Sequence, residues 1–200
     1  MWMVLQVNSH RPEVYISENQ LNFQTNCALA FGARAVIWAC YCPGWWYNHV
    51  LDKDGNKTEQ YEKLWRVNAR LHCLGEIYVR YRCEETFFVG GFEEQELSAS
   101  GKTALPLLNT KMFKNIHADG ARLLVGQLSQ IEGEDEALFI AVADDPSGKD
   151  EREIRLTFES EAENVIVANG ETQEMLTCGE GGQFSLKIGC CKGLLLRIEE

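Results

Sequence analysis

The stretch AVIWACYCPGWWYNHVLDKDGN, residues 35–56, joins an apolar run to a segment that is rich in aromatic side chains. Residues 35–42 carry no charge and fit a short strand that is buried on both faces. Gly44, Asp54 and Gly55 are residue types that mark turns and loops. We therefore expect a strand over residues 35–42, followed by a loop that carries Trp45, Trp46 and Tyr47.

Two strand–helix units are predicted around this stretch. Residues 2–7 (WMVLQV) form an earlier apolar run of the same kind. Ser17 and Gln20 have the spacing of a capping box, in which each side chain satisfies a free amide at a helix start. Gly32 is suited to the left-handed conformation that ends helices. Thr58 is suited to the N-cap position of a second helix. Residues 1–83 are accordingly predicted to be an α/β unit.

The sequence pattern changes from about residue 84 onward. Short β-type runs alternate with Gly, Asp and Asn turns, which is the pattern of an all-β domain. In EIRLTF, Ile154, Leu156 and Phe158 share one face of a strand, opposite Arg155 and Thr157. Residues 92–121 show no clear period and are predicted to be loop with uncertain strands. We expect residues 84–200 to form an antiparallel β-sandwich.

Charge and hydropathy exclude two classes of partner. The chain has 19 basic and 30 acidic residues and a net charge of -11, which disfavours nucleic acid. Its apolar runs are far shorter than the roughly 20 residues that a membrane-spanning helix needs. The first residues, MWMVLQVNSH, lack the basic leader and cleavage site of a signal peptide, so the expected location is the cytoplasm.

No metal or other cofactor is expected. The eight cysteines are spaced irregularly and are predicted to be reduced thiols rather than a disulfide framework. Cys40 and Cys42 lack the paired C-x-x-C unit that would complete a zinc site. Asp52 and Asp54 suggest a calcium loop, but Gly55 stands at the fourth position instead of the sixth.

Four motifs in the first 80 or so residues resemble the end of the catalytic barrel in β-galactosidase-like glycoside hydrolases. They are LNFQ at 21–24, ALAFGARAV at 28–36, DKDG at 52–55 and VNARLHCLG at 67–75. The resemblance implies an α/β plus all-β fold class: the last two βα units of a (β/α)8 barrel, followed by an antiparallel β-sandwich domain. The remaining strand–helix units of such a barrel would be absent from this chain.

The same resemblance implies a carbohydrate-active protein related to enzymes that hydrolyse O-glycosyl bonds. This chemistry normally uses two carboxyl groups that flank the scissile bond. The resemblance places the acid/base on a barrel strand that this chain lacks, and the nucleophile after residues 2–7. Glu13 is the nearest acid there, so it is the candidate catalytic residue, although acids are also common where helices start. Whether the chain is an enzyme is left open, and little or no activity is expected of it alone.

The aromatic residues are predicted to bind sugar. Sugar rings present apolar C–H faces that pack on aromatic planes, while hydroxyl groups need polar partners. Neighbours in an extended segment point in opposite directions, so one of Trp45 and Trp46 should be exposed and the other largely buried. The candidate substrate-binding residues are Trp38, Tyr41, Trp45, Trp46, Tyr47 and His49.

Two other interpretations remain. The chain is alternatively a noncatalytic module that binds carbohydrate or mediates assembly, or an unrelated compact α/β domain whose aromatic residues are core. The expected partners are carbohydrate and either a second copy of the chain or the missing barrel portion. An uncovered sheet face with open edges favours such association.

Overall fold

The computed structural model describes residues 1–98, 100–149 and 152–199. The three α-helices of this part are α1 (Glu18–Ala30), α2 (Glu59–Tyr78) and α3 (Glu94–Leu97). Its strands are β1 (Trp2–Gln6), β2 (Ala35–Ala39), β3 (Tyr81–Val89), β4 (Ala104–Leu105), β5 (Lys114–Ala118), β6 (Leu123–Gln130), β7 (Glu136–Val142), β8 (Glu153–Glu159), β9 (Asn164–Ala168), β10 (Gln173–Thr177), β11 (Gln183–Gly189) and β12 (Gly193–Ile198). A short 3-10 helix, Glu180–Gly182, precedes β11.

The described strands form three sheets. β1 and β2 pair in parallel, with Trp2 opposite Ala35 and Gln6 opposite Ala39. A seven-stranded sheet has the order β10-β9-β12-β7-β6-β3-β4 and is antiparallel except between β3 and β4. A three-stranded antiparallel sheet has the order β11-β8-β5.

The two larger sheets pack face to face around one hydrophobic core. The seven-stranded sheet contributes Val125, Leu138, Ile140, Val165 and Leu196, and the three-stranded sheet contributes Ile116, Ile154, Leu156, Phe158 and Phe184. The Phe158 and Phe184 rings stack with centroids 5.1 Å apart. The alternation predicted for residues 153–158 is confirmed, because Ile154, Leu156 and Phe158 are buried while Arg155 is exposed.

Helices α1 and α2 cover the opposite face of the seven-stranded sheet. The Tyr78 ring packs edge-on against Phe139 of β7, with centroids 5.8 Å apart. Its hydroxyl donates to the carbonyl of Leu29 at 2.7 Å, which ties α2 to α1. Because both faces of the sheet are covered, all seven residues of β7 are buried. This is why β7 lacks an alternating pattern.

The predicted boundaries of α1 are confirmed. The Ser17 hydroxyl accepts from the backbone N–H of Gln20 at 3.1 Å, and the Gln20 side chain accepts from the N–H of Ser17 at 2.9 Å. Gly32 follows the helix with a φ of 79°. The end of α1 lies so close to β6 that a Cβ at Gly126 would stand 2.5 Å from the carbonyl oxygen of Ala30.

The predicted fold class, α/β plus all-β with two βα units of a (β/α)8 barrel, is wrong. The described chain is mostly β, with three α-helices and three sheets. Barrel helices pack on the barrel strands, whereas Leu29, Ala30 and Leu74 of α1 and α2 share a core with the antiparallel sheet. Burial against this larger sheet fixes the helices, and β1 and β2 remain a separate pair.

The division into domains at residues 83 and 84 stays a prediction. β3 runs through this position, from Tyr81 to Val89. The region predicted to be loop with uncertain strands contains α3, β4 and β5. None of the helices in the described part combines the length and the apolar character that crossing a membrane requires.

Candidate functional site

The segment from residue 40 to residue 50, called the aromatic loop below, is held from underneath by the residues that follow β1. The buried side chain of Asn8 accepts from the backbone N–H of Cys40 at 3.1 Å and donates to the carbonyl of Trp45 at 3.3 Å. Ser9 and Tyr47 exchange two backbone hydrogen bonds, of 3.1 and 2.7 Å. One short segment thus anchors the loop at three points.

A second set of hydrogen bonds closes the loop. The Asn48 side chain donates to the carbonyls of Pro12 and Val14, at 3.1 and 2.7 Å. The Nε2 of His49 lies 2.8 Å from the carbonyl oxygen of Trp45, and it must donate because a carbonyl only accepts. Trp46 and Asn48 have φ angles of 64° and 59°, in the left-handed region that non-glycine residues seldom adopt. These bonds hold both residues in that conformation.

Four aromatic side chains project from this backbone into solvent. Trp45 is 76% exposed and Trp46 is 46% exposed, and Tyr41 and Tyr47 are exposed as well. The prediction that one of Trp45 and Trp46 is largely buried is wrong. It assumed an extended segment, whereas the left-handed conformation of Trp46 breaks the alternation of side chains.

A depression of about 400 Å³ lies beside the aromatic loop. Tyr15, His49, Asp52 and Lys53 are among the residues that line it. Hydrogen bonds from Asn56, first from its backbone N–H and then from its side chain, lower the pKa of Asp52. The depression therefore offers a fixed carboxylate acceptor next to an exposed tyrosine ring.

Tyr15 and Asp52 were not predicted as sugar-binding residues. The pattern around Asp52 indicates a turn or a calcium loop rather than a sugar site, and Tyr15 follows a polar segment that has no periodic pattern. Asn48 holds Pro12 and Val14, next to Tyr15, against the loop. A contact between segments more than 30 residues apart leaves no local signal in the sequence.

Trp38 does not lie in this site. Its indole N–H donates to the side-chain oxygen of Asn68 on α2 at 2.9 Å. The residue is half-buried and packs against the core beneath the helices, on the same face as its partner Leu5. Trp38 is therefore a core residue, while Tyr41, Trp45, Trp46, Tyr47 and His49 come together.

Glu13 lies in an exposed turn that a hydrogen bond from the N–H of Val14 to the carbonyl of Arg11 closes at 3.2 Å. The turn adjoins the aromatic loop, since Asn48 bonds Pro12 and Val14 on either side of Glu13. An exposed carboxylate is the usual state of a surface acid. A catalytic role for Glu13 stays a prediction.

No protein-family model matches the chain, and no curated protein and no solved structure matches it. The resemblance to β-galactosidase-like hydrolases therefore stays a prediction that rests on the four sequence motifs. Within the described residues, no group of three His, Cys, Asp or Glu side chains is placed to share a metal ion.

Proposed function

We propose that the protein binds carbohydrate and that the aromatic loop is its binding surface. The observation that carries this proposal is the exposure of four aromatic side chains on a backbone that buried Asn8 holds in place. Large exposed apolar patches usually mark a binding surface. Because the backbone is fixed before binding, little entropy is lost when a ligand orders the site.

The chemistry of the loop suits a neutral sugar. Tryptophan and tyrosine rings offer flat apolar surfaces for the C–H faces of a pyranose ring. The carboxylate of Asp52 and the free ring nitrogen of His49 can bond hydroxyl groups beside the stacked ring. The net charge of -11 repels polyanionic polymers and favours uncharged ones.

The wider function proposed is that of a carbohydrate-active protein related to β-galactosidase-like glycoside hydrolases, with no or weak activity in this chain alone. The alternative is a noncatalytic carbohydrate-binding or assembly module. The first assigns sugar contact to the aromatic loop, whereas in the alternative the β domain binds sugar or mediates assembly. Binding is therefore tested first.

The test compares two exposed tryptophans by calorimetric titration with galacto- and gluco-oligosaccharides. Trp45→Ala removes the most exposed ring of the loop, and Trp65→Ala, its matched control, removes an exposed ring from α2 outside the loop. We expect Trp45→Ala to weaken binding by about tenfold or more, the range of one lost aromatic contact. The melting temperature should change little in both variants. Equal affinities of the two variants would contradict the proposal.

A further inference from the structure

A separate cavity of about 350 Å³ lies where α1 and α2 meet strands β9 to β12. Its volume is within the range of small-molecule sites, about 300 to 1,000 Å³. Val67, Leu71, Leu74, Ile188 and Leu194 supply apolar walls. No residue of the aromatic loop lines this cavity.

Asn22 on α1 lines the cavity and is only 4% exposed. The Nη1 of Arg70 lies 3.2 Å from one polar atom of its amide. A guanidinium only donates, so that atom is the oxygen and the amide nitrogen is the other one. This Nδ2 is buried and has no hydrogen-bond partner among the residues that the structure describes. Buried donors are almost always paired, so the site favours a molecule that brings an acceptor.

The charged groups around the cavity differ in whether they are already paired. Arg70 forms ion pairs with Glu18 and Glu171, and Lys187 pairs with Glu153. Lys192 also lines the cavity but forms no ion pair with any described residue. Glu174 lies on the exposed edge and accepts from the Thr172 hydroxyl at 3.1 Å.

Among the groups that line the cavity, the Nδ2 of Asn22 has no hydrogen-bond partner and the side chain of Lys192 forms no ion pair with a described residue, while the carboxylate of Glu174, which also forms no ion pair with a described residue, lies at the exposed edge. Asn22 and Lys192 belong to distant parts of the chain, and both line this cavity. A donor amide and a lysine together suit a ligand with a carboxylate, because hydrogen bonds between ionised partners are the strongest ones. The apolar walls suit a ligand whose apolar part is about the size of one ring.

We propose that this cavity binds a small carboxylate with a ring-sized body, of which sugar acids and aromatic acids are representatives. The carboxylate pairs with Lys192, an oxygen of the ligand accepts from Asn22, and the ring packs against Leu71 and Leu74. The site is independent of the carbohydrate surface proposed for the aromatic loop, and either proposal can fail without the other.

The test is a titration of the 15N-labelled full chain with galacturonate, with benzoate and with galactose, followed by NMR. Galactose is the matched neutral control because it lacks the carboxylate of galacturonate. We expect at least one of the two acids to shift the side-chain amide signal of Asn22 in a saturable way, the signal being assigned by its loss in Asn22→Leu. At this cavity, as read from the Asn22 signal, galactose should bind about tenfold more weakly than galacturonate or not at all.

Variants separate ligand binding from a structural role. Lys192→Met should remove the preference for the acids over galactose. Asn22→Leu, followed through the other amide signals that the acids shift, should weaken binding; it removes the unpaired donor together with the acceptor of the Arg70 hydrogen bond, so its melting temperature is recorded alongside. Trp65→Ala, outside both proposed sites, should leave the titration of the Asn22 signal unchanged. The proposal is overturned if neither acid produces a saturable shift, if galactose binds as tightly as the acids, or if Lys192→Met keeps their preference. If Asn22→Leu does not fold, Lys192→Met alone tests the proposal.

Discussion

The side-chain nitrogen of Asn8 donates to the carbonyl oxygen of Trp45 at 3.3 Å, from a position that is fully buried. The oxygen of the same amide accepts from the N–H of Cys40 at 3.1 Å. An asparagine amide can donate and accept at once, so one side chain holds the start and the middle of the aromatic loop. The backbone that carries the exposed rings is therefore fixed.

Replacing Asn8 by alanine should loosen the aromatic loop. The change leaves the N–H of Cys40 and the carbonyl of Trp45 without this partner, at an expected cost of about 1–3 kcal/mol in the free energy of unfolding. Urea denaturation measures this loss, and oligosaccharide affinity should fall with it. Asn68→Ala is the control, because it removes the hydrogen bond to Trp38 outside the loop. An equal loss of affinity in both variants would show that Asn8 has no specific role in the loop.

The chain by itself should not hydrolyse nitrophenyl galactosides or glucosides. Glycoside hydrolysis needs two positioned carboxyl groups, whereas Glu13 is exposed and β1 is followed by Val7 and Asn8. Release of nitrophenol over hours at high protein concentration is the measurement. Clear turnover that disappears in Glu13→Gln would make this prediction wrong and Glu13 a catalytic residue.

One face of the β1–β2 pair should cause self-association. Residues paired in a parallel sheet point to the same side, so Trp2, Val4 and Ile37 share a face, and all three are exposed. Sedimentation velocity should show mass that increases with concentration, and Val4→Lys should reduce it. Ile131→Ser, which removes an exposed side chain outside this strand pair, is the control. A monomer that is stable at micromolar concentration in the parent protein would refute this role for the face.

Stability should fall in alkaline solution because of a buried thiol. Burial, with a smaller effect of Cys191, raises the pKa of Cys27 from 9.0 to about 12. Between these values the unfolded chain has released a proton that the folded chain retains, so the free energy of unfolding decreases as the pH rises. The decrease is up to about 1.4 kcal/mol per pH unit for one group.

Urea denaturation at several values above pH 9 measures this slope. Cys27→Ala should make it shallower, while Cys42→Ala, at an exposed thiol, should leave it unchanged. Burial also raises the pKa of Tyr78, which adds a decrease of the same sign at higher pH. If Cys27→Ala keeps the full slope, the thiol does not contribute to it.

Features that depend on residues a few positions apart could be predicted from the sequence. The capping box of Ser17 and Gln20 and the left-handed Gly32 set the ends of α1, because these groups meet within one or two turns of backbone. The alternation in EIRLTF placed Ile154, Leu156 and Phe158 in the core for the same reason, since a strand has a period of two.

Where these elements pack depends on contacts between distant parts of the chain. α1 and α2 were predicted to cover parallel barrel strands, but they are buried against β6 and β7 of the antiparallel sheet. The end of α1 can approach β6 closely because Gly126 has no side chain there. Likewise, Asn22 and Lys192 line one cavity, and Asn8 supports Trp45 through a hydrogen bond between distant segments. Such contacts form because the folded chain buries the most apolar surface as a whole, and no local pattern records which segments will meet.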